Sequence, residues 1–161
     1  MIRMSNYIIK LKNKGFTSIG RASDMVWIGF GNTIKIRDFR GIEVKKEEYA
    51  LHIQCPWRII KDNKIILANY DIYVPKNCNC VENFDWDVKG KNLFDEKIIK
   101  LKEKIINSVV RDVTYYEYGD LNIFMENDYQ INVFVNGSNK EEYWRFIDNT
   151  ENKHIICFEE R

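Results

Sequence analysis

The 161-residue chain is poor in the residues that usually announce a function: two histidines, four cysteines, two prolines and eight glycines. Cys55, Cys78, Cys80 and Cys157 are too few and too irregularly spaced to staple a chain of this length as a disulfide framework. Charge of one sign is also missing. The 25 basic and 24 acidic residues are mixed along the chain and leave a net charge of +1. A nucleic-acid binder usually carries a basic bias or stripe, so that class loses weight. No apolar run approaches the roughly 20 residues of a membrane span. The opening MIRMSNYIIKLKNKG interrupts its apolar part with charge, unlike a secretory signal. No catalytic motif is present in full. These absences lead us to expect a cytoplasmic protein with reduced thiols, no nucleic-acid or membrane partner, no cofactor and no bound metal.

What is present is a chain rich enough in apolar residues to fold. Hydrophobic residues make up 45% and aromatic residues 14%, which predicts one ordered domain over residues 1–161. Tyr49 to Ile60, YALHIQCPWRII, alternates with period two and reads as one strand, bent, bulged or at an edge where Pro56 lacks an amide donor. Asp24 to Phe30 reads as a strand covered on both faces. Gly31-Asn32 is a turn signal into Thr33 to Arg37, predicting a hairpin, with a charged loop over 38–48. Lys64 to Ala68, Val109 to Tyr118, Leu121 to Glu126, Tyr129 to Val135, Tyr143 to Ile147 and Lys153 to Phe158 are further strands, and Tyr70 to Val74 is expected to extend the sheet. Helices are predicted at 5–14 and at 93–108, the second capped by Asn92 and striped by Phe94, Ile98, Leu101 and Ile105. Residues 75–92 form a long irregular connection. The fold class is therefore α+β: largely antiparallel sheet, with both helices packed on one side.

Short matches hint at an internal duplication. IIKLK occurs at 8–12 and 98–102, Arg21 and Arg111 keep the same offset of 90, Trp57-Arg58 and Trp144-Arg145 recur at 87, and KEEY recurs at 94. The corresponding halves would be 1–75 and 92–161.

Candidates for chemistry are few. His52, Gln54 and Arg58 form the polar row of the strand at 49–60, and Arg58 can grip a carboxylate or phosphate with its planar fork. With Arg21 and Asp24 they could line a ligand pocket, or a hydrolytic site if Ser23 or another nucleophile joined them. His52 and Cys55, with Cys78 and Cys80, are of zinc-ligand type, but three residues apart on a strand put His52 and Cys55 on opposite faces. Asp38 with Glu43-Val44-Lys45 resembles a nuclease pattern only loosely. Asp85, Trp86 and Asp87, with Asp95 and Glu96 downstream, make an acidic-aromatic loop. Asp95 and Glu96 suit the positive end of a helix, and Trp86 is the tryptophan best placed for an interface.

The blocks GRASDMVWIGFG (20–31), YALHIQCPWRI (49–59), FDWDVKGKNLFDE (84–96), YGDLNIFM (118–125) and EEYWRFI (141–147) together resemble a widespread family of small uncharacterised bacterial proteins. The resemblance spans nearly the whole chain. It implies a bacterial, cytoplasmic, single-domain α+β protein and carries no catalytic residues across. Size and composition are also similar to those of immunity proteins that neutralise toxins. The expectation is a non-enzymatic protein-binding module whose partner, a cognate toxin, meets Asp85, Trp86, Asp87 and Glu96. A ligand-binding protein or hydrolase built on His52 and Arg58 is the alternative.

Overall fold

The computed structural model describes residues 3–76 and 82–158. Two short helices and ten strands follow in the order α1 (Met4–Ile8), β1 (Phe16–Ala22), β2 (Met25–Arg37), β3 (Glu43–Ile53), β4 (Trp57–Lys61), β5 (Lys64–Ala68), α2 (Leu93–Ile105), β6 (Val110–Tyr115), β7 (Leu121–Met125), β8 (Tyr129–Val133), β9 (Trp144–Asp148) and β10 (Lys153–Ile156). The expected α+β class and antiparallel pairing hold. There are two five-stranded sheets, ordered β1-β2-β3-β9-β10 and β5-β4-β8-β7-β6. Alternate residues point inward, as period two requires. Phe16, Ile28, Leu51, Trp144 and Phe146 of one sheet share a single buried cluster with Trp57, Ile59, Ile123, Ile131 and Val133 of the other.

Several local expectations are corrected. The run 49–60 is not one strand. The chain leaves the first sheet at Ile53, turns through Gln54-Cys55-Pro56 and enters the second at Trp57. Pro56, with no N–H to donate, occupies the corner and accepts from Phe134 N at 2.8 Å. Gly31-Asn32 is a bulge, not a hairpin turn. β2 runs through it with a register shift between Phe30 and Thr33, and Gly31 takes φ +87°. The tight turn lies earlier, at Ser23-Asp24, and most of the expected loop at 38–48 is the start of β3. Residues 69–73 form a 3-10 turn instead of a strand, because Asp71 Oδ2 accepts from Ala68 N at 3.0 Å. The first helix is α-helical only over Met4–Ile8, followed by a 3-10 turn over Ile9–Leu11. The helices do not lie together on one side of a sheet. α1 borders β6 and β9, and α2 borders β1 and β5, so each bridges both sheets.

The two halves have equivalent topology. Replacing β1 to β5 by β6 to β10 turns the order of one sheet into the order of the other. Each half contributes three strands to one sheet and its last hairpin to its counterpart's. At the junction the hydrogen bonds are reciprocal: Asn13 N to Val110 O and Asn107 N to Phe16 O are both 2.9 Å, and Phe16 N to Ser108 O and Val110 N to Lys14 O are both 2.8 Å. Asn13 and Asn107 take φ of +66° and +67°, the left-handed conformation that Asn tolerates better than most residues.

Register decides which short matches are equivalent. Trp57 lies opposite Val133 and Trp144 opposite Ile53, so the two Trp-Arg pairs correspond. IIKLK does not: the helix ends align at an offset of 94, one helical turn away. Arg111 stands at the β6 bulge, where the first half has Thr17 and not Arg21. KEEY lies inside β3 in one half and before β9 in the other.

Candidate functional site

The most constrained of the sequence candidates is Arg21. Its side chain comes off β1 into a region where its residue is only 8% exposed. Its guanidinium forks onto Asp95, with Nε to Oδ1 and Nη2 to Oδ2 both at 2.8 Å. The remaining N–H groups reach Ser23 O at 2.9 Å, Asp87 O at 3.3 Å and Asp87 Oδ1 at 3.4 Å. All five donors have acceptors, as a buried guanidinium requires. Burial alone would raise the Asp95 carboxyl. The bonds from Arg21 and from Gly90 N (2.8 Å), with the Arg21 charge, outweigh it and hold Asp95 below the usual carboxylate range. Asn92, fully buried, completes the assembly: its Oδ1 accepts from Asp95 N at 2.8 Å and its Nδ2 donates to Trp86 O at 2.9 Å. Arg21 and Asp95 therefore fasten the loop 82–92 and the start of α2 to the edge strand β1.

That fastening fixes an aromatic surface. Trp86 meets Tyr73 edge-on at 5.1 Å, and Tyr73 meets Tyr70 at 6.1 Å. Trp86 is half-buried against the core, while Tyr70 and Tyr73 are 70% and 38% exposed. The Tyr73 hydroxyl donates to Asp24 Oδ2 at 3.0 Å. Burial, then this acceptor, push the Tyr73 hydroxyl pKa upward. Asp85 and Asp87 are exposed in the loop, with Asp87 N donating to Asp85 Oδ1 at 3.0 Å, and Glu96 is exposed in the first turn of α2. Of the sequence candidates, Arg21, Asp24, Asp85, Trp86 and Asp87 thus belong to one assembly. Tyr70 and Tyr73 were missed. Their signal was two tyrosines three apart beside Asp71, a spacing that shares one side of a 3-10 turn.

His52, Gln54 and Arg58 do not form a row. His52 is on β3 of the first sheet, paired with Trp27 and Arg145, whereas Arg58 is on β4 of the second. Arg58 Nε donates to Asn132 Oδ1 at 3.0 Å, and its guanidinium lies 4.9 Å from the Phe134 ring. Asn132 Nδ2 donates onward to Asn122 Oδ1 at 2.8 Å. Gln54 is exposed at the corner, its backbone N donating to Tyr143 O at 2.9 Å. The relation between halves makes Asn132 the counterpart of His52, since Arg58 faces the one and Arg145 the other. Burial, then the Arg145 and His154 charges, hold His52 below the usual histidine range. Four surface cavities, of about 290, 470, 380 and 310 Å³, are lined by other residues.

Cys55 is buried, and desolvation followed by the neighbouring Cys157 pushes its thiol up to about 12, away from nucleophilic or metal-binding character. Cys78 and Cys80 lie outside the described residues. No three metal-ligating side chains cluster among the described residues, and no helix there is long and apolar enough to cross a membrane. No family model matches the chain, and neither do any curated protein or solved structure.

Proposed function

We propose that the chain is a non-enzymatic protein-binding module that meets its partner with the Tyr70-Tyr73-Trp86 surface and the carboxylates of Asp24, Asp85, Asp87 and Glu96. The observation that carries this reading is the buried Arg21-Asp95 fork. It spends a fully satisfied guanidinium on holding an exposed loop still, and so lowers the ordering cost of binding through that loop. Aromatic residues are the commonest interface anchors, and the exposed carboxylates on the same loop and helix start favour a basic partner. A bacterial toxin neutralised by occlusion is the partner class that fits the resemblance stated above, making this an immunity-type protein of the cytoplasm. The separation of His52 from Arg58 argues against the alternative of a pocket formed by both. The test takes the products of the neighbouring genes and asks whether co-expression of this chain protects cells from one that is toxic. Protection by the wild type, lost in Trp86→Ala/Tyr73→Ala while the variant stays folded, supports the reading; equal protection by the variant, or none by the wild type, refutes it.

A further inference from the structure

The relation between halves exposes a difference in charge at one pair of equivalent places. In the first half, Lys10, in the 3-10 turn after α1, sits over the β9-β10 turn. Its Nζ donates to Asp148 Oδ2 and to Glu151 Oε1, both at 2.7 Å. Asp148 is fully buried and lies opposite Tyr49 in the sheet. Burial disfavours both charges, yet the two bonds and the mutual attraction raise the Lys10 pKa and lower that of Asp148. The cation in this place is neutralised from within.

In the second half the same place is built from α2 and the β4-β5 turn. An offset of 94 puts Lys104 where Lys10 stands, just as Leu11 and Ile105, both fully buried, correspond. Tyr129 occupies the position of Tyr49, and the residue opposite it is Lys61, not an aspartate. The acid has been replaced by a second cation. Lys97 and Lys100 come from the adjoining turn of α2, and the four lysines line one cavity of about 380 Å³. Its remaining lining is Asp62, Ile66, Leu101 and Tyr129. Leu101 and Tyr129 are buried, Ile66 is half-buried, and together they give an apolar floor. The acids at hand are Asp62, 3.4 Å from Lys61, and Asp71, 3.4 Å from Lys97. Lys61 also donates to Asn127 O and lies 4.8 Å from the Tyr129 ring. Lys61 and Lys97 thus each have a carboxylate partner, while Lys100 and Lys104 have none within 4.0 Å among the described residues. Lys100 and Lys104 are a like-charged i,i+4 pair, an arrangement that destabilises a helix slightly unless something neutralises it.

We propose that this groove binds a small organic anion, a phosphate-type dianion on an apolar body, whose charge takes the place that Asp148 and Glu151 occupy in the other half. The head group is assigned to phosphate because the donors are all lysines, compact point charges suited to phosphate, with no arginine fork for planar carboxylates. The body is assigned as apolar because the floor is Tyr129, Leu101 and Ile66. The cavity falls in the size range of small-molecule sites, roughly 300–1,000 Å³.

Nuclear magnetic resonance titration of the full chain with phenyl phosphate, inorganic phosphate and benzyl alcohol tests this. Phenyl phosphate is expected to shift the Tyr129, Leu101 and Lys104 signals saturably, with a dissociation constant of about 1 mM or below at low salt. It should weaken steeply as salt is added. Inorganic phosphate should bind the same residues about tenfold more weakly, and benzyl alcohol not at all, because each lacks one half of the recognition. Lys100→Gln/Lys104→Gln, both exposed positions, should weaken phenyl phosphate about tenfold or more. Lys61→Asp restores the arrangement of the first half and should abolish binding while raising the melting temperature. The proposal is overturned if phenyl phosphate gives no saturable shift at about 10 mM, if inorganic phosphate binds as tightly as phenyl phosphate, or if the lysine variants bind as the wild type does.

Discussion

Arg21 shows what one residue can do when every donor it has is used. Sequence reading picked it out as a candidate ligand-binding group, but its acceptor is 74 positions away, and nothing local marks Asp95 as that partner. Arg21→Ala would leave the Asp95 carboxylate buried without its counter-charge. The cost expected is about 3–5 kcal/mol in chemical denaturation. Because Asp95 is held below its usual range, its contribution is complete above the ordinary carboxylate pKa. It is lost as pH falls through the lower folded value, so acid should narrow the gap between wild type and Asp95→Asn. His52 behaves in the same sense at higher pH, closer to neutrality. Its folded pKa is depressed, so its contribution is complete above the unfolded value of about 6.5 and diminishes as pH falls below that. His52→Asn, copying Asn132, should flatten the loss of stability between about pH 7 and 5. The two equivalent tryptophans also differ. Trp144 Nε1 donates to Gly119 O at 2.8 Å, whereas Trp57 Nε1 is buried with no partner among the described residues. Trp144→Phe should therefore cost about 1 kcal/mol more than Trp57→Phe, measured by the same denaturation curves.

At the scale of elements, the strands and α2 were legible because their apolar periodicity is what burial in the common core demands. Their ends were less legible. Gly31-Asn32 has the chemistry of a turn, and a bulge needs the same positive φ from the same residues, so only the pairing of Thr33 with Glu47 tells the two apart. The run 49–60 keeps its alternation through Pro56 because β3 and β4 each turn one face to the same core, so the pattern continues although the sheet changes. The connection was recognised as irregular, but the order of residues 82–92 depends on Asn92, a cap whose other end holds Trp86 in place. Asn92→Ala should cost about 1–2 kcal/mol as a lost cap. It should also make the Trp86 environment more solvent-exposed by fluorescence, which a simple loss of helix stability would not do at temperatures where the protein stays folded.

At the scale of the molecule, each half completes the other's sheet, and we propose that the halves are copies of one unit. Trp-Arg was visible as a repeat because both tryptophans begin the strand that crosses to the other sheet, a place where a large side chain fills the same space twice. The correspondence of Lys10 with Lys104, or of His52 with Asn132, was not visible, because the offset changes from 94 to 80 to 87 along the chain as turns differ in length. The reciprocal bonds at 13–16 and 107–110 should make the halves interdependent: residues 1–76 and 82–161 expressed separately should fail to fold, and co-expressed should associate into one soluble complex. The most direct test of the functional reading is affinity capture from the native host by the wild-type chain beside Trp86→Ala/Tyr73→Ala and Lys100→Gln/Lys104→Gln. The account predicts a basic protein held by the wild type and the lysine variant and released by the aromatic variant. Retention of the same protein by all three would contradict it.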